Sequence, residues 1–305
     1  DSPGRVVRAV RMCVILSEAA ALGLSKGKNL FALSFVLLFF AGCAAQPIGP
    51  ARICPGKKTA AEAIEVLNSR REKIVPIHAT GRCLLHYCLE GKMHKESFPV
   101  KLWINPPDEI YLQGDVAFNA TGLVLGSNAD EFWLWLKPKE ISSYWWGKWS
   151  QADKWNGLAM SPAVLLEAFG AVDLPEDDWS LTHGRHDILW LHNEQGVLLK
   201  RIYIEPCDYL VTKIEYFDST GEIAVRAEFS RHKKTAGGFF VPTLIKVFSP
   251  ADDGWENSAE ISLSSVNLAR LNEQQRQRLF IRPKPEGFDH IYKIEDGRPV
   301  ELVNE

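Results

Sequence analysis

The residues with the most evident capacity for chemistry are His183-Gly-Arg-His186-Asp187, followed by Trp190 and His192. Imidazole nitrogens beside a carboxylate are the ligand set of zinc hydrolases and the partners of acid–base catalysis. In a strand, His186 and His192 share a face but stand roughly 20 Å apart, too far to hold one metal. A compact site of His183, His186 and Asp187 at a strand start would make the chain a metallohydrolase. Turn and edge histidines of an antiparallel sheet account for the same residues without a metal, and this reading is preferred. Neither a G-x-S-x-G elbow nor an H-E-x-x-H helix occurs. Gly237-Gly238, between Lys233-Lys234 and Phe239-Phe240, suits a hairpin turn better than a phosphate loop. No catalytic residue, metal ligand or cofactor is therefore assigned.

The aromatic residues carry a stronger signal. The 305 residues include 10 Trp, 15 Phe and 7 Tyr, and six of the ten Trp fall between Trp133 and Trp155. Trp133, Trp135, Tyr144, Trp145, Trp146, Trp149 and Trp155 lie on two neighbouring strands and the loop after them. Such a group is an aromatic core, the lining of an apolar pocket suited to acyl chains, or a patch that meets lipid headgroups. With 46% hydrophobic and 24% charged residues, the composition excludes a disordered chain, a collagen-like repeat and a polytopic membrane protein. The 35 Lys and Arg are balanced by 38 Asp and Glu, which leaves no basic excess for nucleic acid.

The elements that must position these residues begin after an export segment. Lys26 and Lys28 precede an uncharged run from Leu30 to Gly42, too short to span a bilayer core of ~30 Å and readable as the apolar region of a signal peptide. The run ends in Phe40-Ala41-Gly42-Cys43, which resembles the bacterial lipobox with Phe where Leu is commonest. Cys43 is the expected lipidation site and mature amino terminus. Residues 1–42 are then an N-terminal extension and lipoprotein signal, and 43–57 a tether rich in Pro and Gly. Removing that signal takes away five basic and two acidic residues, so the formal charge moves from −3 to −6. Ala44, not Asp, follows the Cys; the familiar signal for inner-membrane retention is missing, which favours the outer membrane. Of the remaining Cys54, Cys83, Cys88 and Cys207, Cys83 and Cys88 cannot pair with each other on one strand and read as small buried hydrophobes.

Thr59 with Glu62 predicts a helix running to about Lys73. From Pro76 the pattern changes to period two, with Cys83, Leu85, Tyr87 and Leu89 on one strand face, and Phe98, Val100, Leu102 and Ile104 on another. Further strands are predicted at about 108–116, 121–128, 131–137, 141–149, 186–194, 197–205, 209–217, 222–231, 239–249 and 258–266. Ser161-Pro162 opens a short helix that Gly170 ends, and a third helix covers about Asn272 to Leu279. This order predicts an α+β, mainly β fold: a curled antiparallel sheet forming an incomplete barrel, with a few helices on its concave side. The strand Glu131-Phe-Trp-Leu-Trp-Leu136 is apolar on both faces, so both must be covered.

With these features in place, the mature chain resembles the bacterial outer-membrane lipoprotein carrier and receptor superfamily (LolA/LolB-like). The matching stretches are the first helix leading into Thr80-Gly81, then Lys101 to Leu112, Asn128 to Leu136 and Lys213 to Gly221. Val241-Pro242, Val266-Asn267-Leu268 and the segment Phe280 to Gly287 complete them. The resemblance assigns residues 58–290 to the half-barrel domain and leaves 291–305 as a C-terminal tail. It implies a hydrophobic cavity for lipoprotein acyl chains, closed by helices, in a non-enzymatic, lipid-anchored protein at the periplasmic face of the outer membrane, with a periplasmic carrier protein as a possible partner. Leu85, Tyr87, Leu102, Ile104, Trp133, Trp135, Tyr144 and Trp146 are the expected lipid-binding residues, and Phe118 the expected membrane-contact residue. Arg82 is a candidate counterpart of the carrier's gating Arg. The alternative reading is a structural or interaction lipoprotein that binds a protein or an envelope polymer.

Overall fold

A computed structural model describes residues 54–89, 92–116, 119–137, 142–152, 161–175, 179–250, 256–295 and 298–302. Helix α1 (Ala60–Arg71) is capped by Thr59, whose side chain accepts from the Glu62 amide at 3.2 Å. Six strands follow: β1 (Ile77–Leu89), β2 (Lys92–Asn105), β3 (Glu109–Val116), β4 (Asn119–Ser127), β5 (Glu131–Leu136) and β6 (Ser143–Lys148). The turn α2 (Trp149–Ala152) and helix α3 (Pro162–Ala168) separate them from a second series. That series is β7 (Trp179–His183), β8 (Asp187–His192), β9 (Leu198–Ile204), β10 (Val211–Phe217), β11 (Ile223–Ser230), β12 (Lys233–Lys234), β13 (Phe240–Val241), β14 (Leu244–Pro250) and β15 (Glu256–Leu268). Helix α4 (Glu273–Phe280) and strands β16 (His290–Glu295) and β17 (Arg298–Leu302) end the described chain.

Fifteen strands form one sheet in the order β17-β16-β6-β5-β4-β3-β2-β1-β15-β14-β11-β10-β9-β8-β7, and β12 pairs with β13 as a separate ribbon. Open sheets of more than about ten strands curl rather than stay flat, and this one curls without closing into a barrel. The predicted mainly β fold class is the one observed. The predicted strand at 239–249 is divided into β13 and β14 at Pro242, which has no N–H to give to a ladder. Trp149, expected at the end of a strand, instead begins α2.

The seam of the sheet is β1, paired with β2 on one side and with β15 on the other. Its register slips between Thr80 and Gly81. A Cβ at Gly81 would stand 2.2 Å from the Ser262 carbonyl oxygen of β15, so only glycine allows the strands to approach there. Alternation along β2 and β3 buries Phe98, Val100, Leu102, Ile104, Ile110 and Leu112 on the inner face. Ala63 and Ile64 of α1 and Val164, Leu165 and Leu166 of α3 belong to the same core. The outer face near β5 and β6 has its own smaller core, in which Val124, Trp133 and Tyr144 pack with Phe288 and Ile291. The C-terminal segment thus covers the second apolar face of β5, and β16 continues beyond it as the parallel neighbour of β6. Among the described residues no helix is long and apolar enough to cross a membrane.

Candidate functional site

The cavity of interest lies where α1 and α3 cover the inner face beside β9 and β10. Its volume is about 250 Å³. Leu67 and Ile74 come from α1 and the residue run after it, Phe169 and Leu174 from the end of α3 and beyond. Ile202, Val211 and Ile214 rise from the sheet, and Phe239 and Phe240 close one side from the β12–β13 ribbon. The walls are therefore aliphatic and aromatic, as sites for apolar ligands are.

Of the helices over this cavity, α3 is held by apolar burial, with Val164, Leu165, Leu166 and Ala168 in the core, whereas α1 relies more on polar contacts. Only Ala63 and Ile64 of α1 are buried. Its last turn is latched at three points. The Asn68 side chain donates to the Leu174 carbonyl and accepts from the Leu174 amide, both at 3.0 Å. Arg71 pairs with Asp173 at 2.6 Å. Arg70 donates to the carbonyls of Tyr209, at 2.7 Å, and Asp208, in the turn between β9 and β10. In α3, Glu167 accepts from Lys200 Nζ and from the Tyr216 hydroxyl, each at 2.8 Å. Burial, and then the neighbouring Glu167 carboxylate, push the Tyr216 phenol well above its ordinary pKa, so it stays protonated and donates.

Five side chains with polar groups line the cavity: Arg70, Lys73, Glu167, Tyr209 and His232. Burial lowers the pKa of Arg70, with Asp208 opposing that shift, and a guanidinium remains charged throughout the physiological range. Burial also lowers the pKa of His232, which favours its neutral form at pH 7. The β9–β10 turn is fixed from outside by a disulfide between Cys54 and Cys207. Sequence spacing gave no indication of this pair, since its members are 153 residues apart. Cys83 is fully buried and its thiol is pushed up to about 12 by burial, whereas Cys88 is half-buried.

None of the eight expected lipid-binding residues lines this cavity. Leu102 and Ile104 are fully buried in the inner core, Leu85 lies at its margin, and Tyr87 stacks on His94 at 5.2 Å. Trp133 and Tyr144 are fully buried in the outer core, with Trp135 and Trp146 packed against them. There the Tyr144 hydroxyl donates to the Pro283 carbonyl at 2.7 Å, and Arg282 lies over Trp146 at 4.1 Å. The structure brings these four aromatics together and fills the space between them with the C-terminal segment. Arg82 is exposed and donates to Ser97 at 3.1 Å. Cys43 and Phe118 lie outside the described residues. The cavity residues come from five separate elements; the only local signal was the i, i+3, i+7 spacing of Leu67, Arg70 and Ile74, of which Ile74 lies just past the end of α1.

The histidine group is engaged in local structure. Asp187 is fully buried, accepts from the Lys57 amide at 3.1 Å and lies 2.9 Å from His183 Nδ1. His186 turns the other way, edge-on to the Tyr203 ring. Among the described residues, no group of three His, Cys, Asp or Glu is placed to hold a metal ion.

No protein-family model matches the chain. A Caenorhabditis elegans protein named as a probable 26S proteasome non-ATPase regulatory subunit 9 is 25% identical over 149 residues, which is 48% of this chain and 72% of that protein. Among solved structures, an outer membrane lipoprotein-sorting protein domain from Vibrio parahaemolyticus is 13% identical with a TM-score of 0.48, over 72% of this chain and 97% of its own. A LolA superfamily protein from Nitrosomonas europaea is 11% identical with a TM-score of 0.46, again over 72% and 97%.

Proposed function

We propose that this chain is a lipid-anchored, non-enzymatic binder of acyl chains, acting in lipoprotein sorting or insertion at the periplasmic face of the outer membrane. The observation that carries this reading is the apolar cavity beneath α1 and α3, closed by helices of which polar contacts hold α1 in place. An acyl chain of roughly 15 carbons costs on the order of 10 kcal/mol to expose to water, so a protein that moves one needs an apolar path and no nucleotide. At about 250 Å³ the cavity is smaller than the ~300 Å³ at the lower end of common ligand pockets, so a long chain requires the α1 latch to open. The lipobox at Cys43 supports the anchor, and the Cys54–Cys207 disulfide supports an oxidising compartment such as a periplasm.

The test is native mass spectrometry of the soluble Cys43→Ala form purified from a bacterial periplasm. The expected result is a co-purifying acyl lipid, displaced when Ile202→Trp fills the cavity. A protein that carries no lipid and takes none up from micelles would overturn the proposal. The filled outer core favours a second reading, an interaction lipoprotein with a packed sheet, and that lipid-free result is the one it expects.

A further inference from the structure

The chemistry of the cavity rim narrows the ligand. Glu167 is the only carboxylate among the described lining residues, and its charge is met by Lys200 at 2.8 Å. Arg71, on the neighbouring position of α1, is paired with Asp173 and does not reach the cavity. The two remaining cations, Arg70 in the last turn of α1 and Lys73 just after it, both line the cavity. Arg70 is already oriented by backbone carbonyls, which use two of its five N–H donors; among the described residues no carboxylate forms a direct ion pair with it, although the charge of Asp208 acts on it from farther away. Lys73 is exposed, with three donors. In a chain of formal charge −3, this rim is locally positive above an apolar floor. At about 250 Å³ the closed cavity takes at most one short, slender tail and leaves no room beside it for a second or third.

Resting on the acyl-binding reading above, we propose that the cavity takes a single-tailed amphiphile with an anionic headgroup, the tail among Leu67, Phe169, Ile202 and Phe239 and the headgroup between Arg70 and Lys73. A carboxylate and a phosphate offer the same chemistry to these cations: oxygens that accept charge-assisted hydrogen bonds at the edge of a low-dielectric site.

Isothermal titration of the soluble Cys43→Ala form with dodecanoate, dodecyl phosphate and neutral dodecanol tests this. At least one anionic ligand is expected to bind more tightly than dodecanol, by about three- to tenfold at low salt, with the advantage shrinking as salt rises. Which anion leads identifies the headgroup class. Lys73→Gln is expected to remove most of that advantage while leaving dodecanol affinity and the melting temperature unchanged. Dodecanol binding as tightly as both anions, or Lys73→Gln without effect on them, would overturn the headgroup assignment and leave the acyl cavity standing. Failure of all three tails to bind would overturn both.

Discussion

Glu215 on β10 shows how much of this protein's chemistry is spent on holding the sheet. Its carboxylate is nearly buried and accepts from the Tyr203 hydroxyl at 2.9 Å and from Lys213 Nζ at 2.7 Å, with Arg201 Nε 3.1 Å away. Burial alone would raise its pKa; the hydrogen bonds from Lys213 and Tyr203 and the charges of Lys213 and Arg201 outweigh it and hold the group below its ordinary value. A carboxylate with a depressed folded-state pKa stabilises the fold fully above its unfolded value of about 4.3, and that contribution is lost as pH falls through the folded value. Glu215→Gln is therefore expected to cost about 1–3 kcal/mol at pH 7. Urea unfolding followed from pH 7 to 3 should show a smaller acid loss for the variant than for the parent protein. Equal acid slopes would show that the network contributes nothing through this group. Asp187 is built in the same manner, which is why a histidine–aspartate pair that invites a metal reading serves as a strand-start brace.

At the scale of elements, the outer core depends on a gap in the side-chain pattern. Gly126 of β4 sits opposite Trp133 of β5, and a Cβ there would come within 2.4 Å of the indole ring. Gly126→Ala is expected to displace Trp133 and destabilise the protein by about 1–3 kcal/mol, read as a lower urea midpoint with a red-shifted tryptophan emission. The hairpins around this site were legible because period-two alternation and turn residues are local signals: β2, β5, β10 and β11 stand close to where their patterns place them. Both faces of β5 were recognisable as apolar for the same reason. What covers the outer one was not, since Phe288 and Ile291 are more than 140 residues from Tyr144 in the chain and reach it through a parallel pair that leaves no periodic trace. The edge strands β7 and β17 were missed because they are short and largely exposed, the usual condition of a protected sheet edge. For the cavity, the sequence carried little beyond the spacing at the end of α1, because its walls are assembled from two helices, two strands of the sheet and the separate β12–β13 ribbon.

Taken as a whole, the described fold joins two runs of consecutive strands along β1 and β15, and a single covalent cross-link ties its beginning to its middle. Bridging positions 153 residues apart restricts the unfolded chain strongly, and loss of such a bond typically costs about 2–5 kcal/mol. Cys207→Ser should lower stability in that range under oxidising conditions and bring no change when both proteins are compared in reductant. A loss of the same size in reductant would instead point to a packing role for the side chain. The bond also holds the start of the described chain against the β9–β10 turn. Cys54 is eleven residues after Cys43, at most ~40 Å of extended chain, and Cys207 is two residues from Tyr209 in the cavity wall. If Cys43 carries the proposed acyl group, that length of chain is the longest tether the disulfide allows between the anchor and this wall of the cavity.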